Sequence, residues 1–177
     1  MRRLAIAFAL LASVTLAACQ KEAAQLPVPQ KMTAEAIGHY CGMNVLEHPG
    51  PKGQIFAASL IEPVWFSSVR DTIAFTLLPD EPKDIQAIYV SDMAKAPSWD
   101  KPGVDNWIEA RSALFVIGSH VKGGMGGDEP VPFSDRAAAE RFAAENGGRV
   151  VPFSEIPRDY VLASGEPPDP SASGQSN

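Results

Sequence analysis

Pro63-Val64-Trp65-Phe66-Ser67 and Pro130-Val131-Pro132-Phe133-Ser134 agree at Pro, Val, Phe and Ser, and nine residues beyond each Phe stands another, Phe75 and Phe142. All matched positions are offset by 67 residues. Similarity at one fixed offset predicts a single supersecondary unit built twice. In each half the Ser is a predicted helix N-cap, because its hydroxyl accepts a bond from an orphan backbone N–H. After Ser67, the apolar residues Val69, Ile73 and Leu77 recur at helical spacing, and Pro79 stops the helix. After Ser134 comes Asp135-Arg136-Ala137-Ala138-Ala139-Glu140-Arg141-Phe142-Ala143, a run of helix formers with an acid in its first turn, and Asn146-Gly147-Gly148 supplies a C-cap. Strands are predicted before the helices at 54–57 and 112–117, the second carrying Leu114-Phe115-Val116-Ile117, and after them at 85–90 and 149–153. The order is β(β)αβ, twice, which is an α+β class with a helix over a small sheet in each half. Gly/Pro-rich connections fill 94–106 and 122–132.

The ends differ from this body. Met1-Arg2-Arg3, the apolar run 4–16 and Ala17-Ala18 describe a secretion signal over 1–18, too short in its apolar part to span a bilayer. Leu16-Ala17-Ala18-Cys19 resembles the bacterial lipobox, so Cys19 is expected to be acylated and to begin the mature chain, held to a membrane by lipid. Residues 19–32 read as a flexible tether with Pro27 and Pro29, and 163–177, rich in Ser, Pro and Gly, as a disordered tail. The folded part is then 33–162, in halves of about 33–95 and 105–162. Removing 1–18 takes away Arg2 and Arg3 and no acid, moving the formal charge from −6 to −8. An acidic chain without a Lys/Arg cluster argues against a nucleic-acid partner.

Lipidation of Cys19 leaves Cys41 without a partner in the chain, in a compartment that oxidises thiols. Burial, a bridge to a second chain and metal binding each account for such a thiol. Cys41-Gly42-Met43 sets two soft sulfurs two residues apart, and in an extended segment they face the same side. Thiolate and thioether together select Cu(I). A second methionine, Met125, lies in Gly118-Ser119-His120-Val121-Lys122-Gly123-Gly124-Met125-Gly126-Gly127, flanked by glycines and so poorly placed for a core. Met32 and Met93 lack such settings and read as ordinary. Phosphate loops and the common hydrolase and zinc-protease motifs are absent from the sequence, and no enzymatic activity is expected. The acids Asp80, Glu81, Asp84, Asp128 and Glu129 read as solvated loop residues.

Taken together, the lipobox, Cys41-Gly42-Met43, Glu47-His48-Pro49-Gly50, Pro51-Lys52-Gly53-Gln54, the Met125 loop and the helix closing in Gly147-Gly148 resemble the NosL family. These are copper-binding lipoproteins that serve nitrous oxide reductase. The resemblance implies two similar ββαβ units, related to part of the organomercurial lyases. It also implies a periplasm-facing Cu(I) chaperone whose metal site carries over to Cys41, Met43 and Met125. Which of His120, His48 or His39 completes the site is left open, as is whether one chain or a dimer holds the metal. The implied partners are the membrane transporter complex of the nitrous oxide reductase system and the reductase itself. The alternative is a lipoprotein that only binds another protein, with Cys41 buried.

Overall fold

The computed structural model describes residues 25–162; the expected signal segment, Cys19 and the tail 163–177 lie outside the described residues. The chain runs through β1 (Gly53–Ala57), β2 (Val64–Phe66), α1 (Val69–Leu77), β3 (Ile85–Ser91), β4 (Trp107–Glu109), β5 (Leu114–Ile117), β6 (Val131–Phe133), α2 (Arg136–Asn146), β7 (Arg149–Pro152) and α3 (Arg158–Leu162). One sheet has the order β2-β1-β3-β4 and the other β6-β5-β7, with every pairing antiparallel. In both, the first strand is central and a helix carries the chain from its second strand to its third. The repeat is therefore one ββαβ topology used twice. β2 and β6 begin 67 residues apart, at Val64 and Val131, and so do α1 and α2, at Val69 and Arg136. The short β4 extends the first sheet by pairing with β3, although it follows the long connection 94–106.

The helix caps fall one residue later than the sequence suggests. Ser68 Oγ accepts from Asp71 N at 3.0 Å, and Asp135 Oδ1 accepts from Ala138 N at 2.8 Å. The matched serines before them are engaged elsewhere. Ser67 Oγ lies 3.3 Å from Cys41 Sγ, and Ser134 donates to Asp92 through both its hydroxyl and its backbone N–H, at 2.6 and 2.9 Å.

Alternation along the strands explains the layers. Ile55, Ile88 and Val90 of the first sheet face inward to meet Phe115, Ile117 and Val151 of the second, with Val69, Ile73 and Phe75 of α1 in the same core. β5 is buried on both sides, since Val116 faces the other way and packs with Val131, Phe133 and Ala139 beneath α2. That is why 114–117 reads as an unbroken apolar run.

The outer face of the first sheet is covered by the chain that precedes it, where the sequence reading puts a flexible tether. Gln54, fully buried, accepts from Gln30 N at 2.8 Å and donates to Gln30 O at 2.9 Å, and Tyr89 donates its hydroxyl to Pro27 O at 2.7 Å. Met32 is buried with Ala36 and Val45 against Trp65, Val104 and Trp107. A carboxamide that satisfies both backbone groups of one residue ties that residue down, so the segment is part of the fold from Pro27 onward.

Removing either observed cap, in Ser68→Ala or Asp135→Ala, is expected to lower the unfolding free energy by about 1 kcal/mol, read from urea titration. A smaller loss in Ser68→Ala than in Ser67→Ala would return the cap of α1 to Ser67.

Candidate metal centre

Cys41 sits in a tight loop. Ile37 and Asn44 form an antiparallel bridge, Gly38 N donates to Met43 O at 2.8 Å, and Gly42 N donates to Gly38 O at 2.9 Å. The loop is tied to the edge strand β2 by His39 N donating to Trp65 O at 2.8 Å. Cys41-Gly42-Met43 is thus a turn, not the extended segment the sequence reading assumed. Gly42 has φ +67°, a left-handed conformation that glycine adopts without steric cost. Cys41 is half-buried. Its sulfur faces Ser67 Oγ, with the carbonyls of Gly38 and Met43 each at 3.9 Å. Gly38 leaves room for it: a Cβ there would stand 2.6 Å from the sulfur. Met43 is 39% exposed.

Met125 comes from the second half, at the tip of a hairpin closed by the Lys122–Asp128 bridge and ion pair and by Gly123 N donating to Gly127 O at 2.9 Å. The tip is wedged against the first half. A Cβ on Gly124 would stand 2.5 Å from Pro49 O, and one on Gly127 would stand 2.8 Å from Arg70 Nη1. Met125 is 48% exposed and opens, with Ser68, Asp71 and Glu129, onto a cavity of about 310 Å³. Cys41 and Met125 therefore adjoin the same short stretch, Cys41 through Ser67 and Met125 through the cavity at Ser68 and Asp71, where α1 begins.

The histidines have other settings. The His39 ring packs on Tyr40, Phe66 and Phe75, and its Nε2 lies 3.4 Å from Glu81 Oε1. His48 lies against the Met125 hairpin, where a Cβ on Gly124 would stand 2.9 Å from His48 Cβ; it lines a second cavity of about 260 Å³ with Met32, Leu46, Lys52 and Val104, and its buried Nε2 has no hydrogen-bond partner. His120 is exposed near Gly147, past the end of α2. Among the described residues, no three His, Cys, Asp or Glu side chains converge as metal ligands. Sulfur donors such as Cys41 and the two exposed methionines suit a soft monovalent ion over a hard cation.

Two acids depart from the expected solvation. Glu81 accepts from the Tyr40 hydroxyl at 2.9 Å. Glu129 is 2% exposed, and its Oε1 accepts from Val69 N, the first amide of α1, at 2.6 Å. An acid beside Gly-rich sequence reads as a loop residue; the signal that marks it otherwise is the adjacent Gly123, whose Cβ would collide with Glu129 Oε2 at 2.1 Å. Lys52 is buried as well, donating to Pro49 O at 3.0 Å and Gly50 O at 2.5 Å. Burial pushes the Glu129 carboxyl up to about 8, against the Val69 N–H and the Lys52 charge, and pushes Lys52 down to about 8 with Glu129 opposing.

The α+β domain of two ββαβ units thus displays one half-buried thiol and two partly exposed thioethers near the start of α1. The NosL family model matches residues 29–161, and the chain belongs to the NosL family. It is 49% identical over 148 residues to the copper-binding lipoprotein NosL of Achromobacter cycloclastes, covering 83% of this chain and 77% of that one. It is 35% identical over 118 residues to the protein of the same name from Stutzerimonas stutzeri, covering 67% and 60%. The crystal structure of the copper chaperone NosL from Shewanella denitrificans superposes with a TM-score of 0.69 at 37% identity, over 73% of this chain and 96% of that one. These likenesses agree with the α+β fold expected from the repeat.

A carboxyl whose folded value is raised binds its proton more tightly in the folded state, so its stabilising contribution is present below the ordinary 4.5 and is lost as pH rises through about 8. The unfolding free energy is accordingly expected to fall across that window, and to fall less in Glu129→Gln. Equal slopes in denaturant titrations across the window would rule out Glu129 as the source.

Proposed function

We propose that this chain is a lipoprotein, acylated at Cys19 and facing the periplasm, that binds Cu(I) through Cys41, Met43 and Met125 and hands it on during maturation of nitrous oxide reductase. The observation that carries the reading is a half-buried thiol against Ser67 and two partly exposed methionines, one of them on the cavity at Ser68, where α1 begins. An exposed Met gains little from packing, and both sit on turns closed by glycines, whereas the ordinary Met32 is buried. The printed names of the relatives, copper-binding lipoprotein and copper chaperone, support copper as the cargo and lipid as the anchor. The partial exposure of Cys41 speaks against the alternative of an inert thiol in a protein-binding module.

The chemistry is ligand exchange without turnover. Cu(I) takes the thiolate, so binding releases the Cys41 proton to solvent. The Ser67 hydroxyl, 3.3 Å away, can then donate to the sulfur and hold its direction. Two thioethers complete a soft set that leaves an open face. A sulfur or imidazole of the acceptor enters there before a chaperone ligand leaves, so the ion passes without being freed. The acceptors in this reading are the membrane transporter complex of the reductase system and then the reductase.

One Cu(I) per chain is expected in native mass spectrometry of anaerobically loaded protein, and it should be lost in Cys41→Ser. Met125→Ala should weaken Cu(I) binding at least tenfold, about 1.4 kcal/mol, with the fold unchanged. Unaltered stoichiometry and affinity in Cys41→Ser would sink the reading.

A further inference from the structure

We propose that Glu129 is the positioning residue of the copper site: from the second unit it caps the first turn of α1 in the first unit, and so seats the Met125 hairpin beside the helix turn on which Cys41 rests. The proposal rests on the copper reading above. The hairpin holds few apolar contacts of its own, since four of the residues at 123–127 are glycines. Its seat comes from polar groups on two sides. On one, Gly123 lies against Glu129 Oε2 while Glu129 Oε1 takes the Val69 N–H at 2.6 Å. On the other, Gly124 lies against Pro49 O, and the buried Lys52 Nζ fixes that carbonyl from behind at 3.0 Å. Tyr160 adds a third tie by donating to Glu129 O at 3.3 Å.

Capping alone does not account for Glu129. Ser68 takes the Asp71 N–H and leaves the Val69 amide to another acceptor, but water or a neutral group could serve there, and a carboxyl carried into the interior is costly compared with an apolar side chain of similar size. The Val69 bond instead fixes where the second unit stands on the first. Ser67, whose hydroxyl faces Cys41 Sγ, lies two residues before the amide that Glu129 holds. A shift of that helix turn relative to the hairpin would move Met125 away from Cys41 without unfolding either unit.

Val69 is the first residue of α1, where proline is tolerated because its missing N–H is an orphan in any case. Ser68 before it, at φ −143° and ψ 154°, already has the extended backbone that a residue preceding proline requires. Val69→Pro therefore deletes one of the two α1 amides that Glu129 accepts from, leaving that of Arg70, and keeps the helix. The test uses the full chain, labelled with ¹³C at the methionine methyls and titrated anaerobically with Cu(I). In the wild type the Met43 and Met125 methyls are expected to shift. In Val69→Pro the Met43 shift should persist while the Met125 shift is reduced, with affinity down several-fold to about tenfold. Unchanged Met32 and Met93 methyls report an intact fold. Because Val69 is buried, Glu129→Leu, which removes the acceptor instead of the donor, is the independent check and should give the same pattern. Glu129→Gln, whose amide oxygen still accepts the Val69 N–H, should restore the Met125 response. A full Met125 shift in folded Val69→Pro or Glu129→Leu overturns the proposal. A Met125 methyl that ignores Cu(I) in the wild type overturns the copper ligand assignment, and the proposal with it.

Discussion

A carboxyl group carried into a protein interior loses its hydration and needs donors in exchange. Glu129 finds them on another part of the chain: the first two amides of α1, those of Val69 and Arg70, and the charge of Lys52. The Val69 bond joins the connection between β5 and β6 to a helix of the other ββαβ unit. The apolar core shared by the two sheets holds the units together without direction. The Glu129 bond is directional, so it fixes how the units are set as well as that they are joined. The cavity that Met125 lines at the start of α1 follows from that setting.

Much of this architecture was legible in the sequence because the repeat is literal. The offset of 67 locates both helix starts to within a residue, and the continuous apolar run 114–117 marks the strand buried on two faces, whereas β2 and β6, inside the matched stretch, have no range in the sequence reading. The caps were misread by one position in both halves for one reason: the matched serines face long-range partners, Cys41 and Asp92, that local spacing does not reveal. β4 has three residues and no local pattern of its own, so it was visible only through its pairing with β3. The segment from Pro27 was missed because its attachment is polar. One glutamine on β1 meets one backbone position, which leaves no periodicity to read. Glu129 was misread because an acid near glycines is usually solvated, and its donor lies 60 residues away in the chain.

The candidate ligands Cys41 and Met43 were found in sequence from the types of their atoms, and the structure changes the geometry behind them. The thiol and the first thioether are separated by a left-handed glycine in a turn, and the second thioether arrives on a hairpin from the other unit. Soft ligands on two turns are easier to approach than ligands on the packed face of a helix, and the turns themselves are closed by backbone hydrogen bonds and tied to β2, Pro49 and Arg70. Such a site combines defined positions with an open approach, which suits a carrier that has to give its cargo away.

The clasp between Gln30 and Gln54, together with the Tyr89 bond to Pro27, sets the length of the leash. On the anchoring proposed above, eight residue steps separate Cys19 from the attachment at Pro27. Eight residues reach at most about 28 Å when fully extended. A domain so anchored would stay within about that distance of the bilayer. Confinement of this kind replaces a three-dimensional search by a nearly planar one, and raises the effective concentration toward any acceptor in the same membrane. Two glutamine hydrogen bonds therefore help set how often the carrier meets the proteins it would supply.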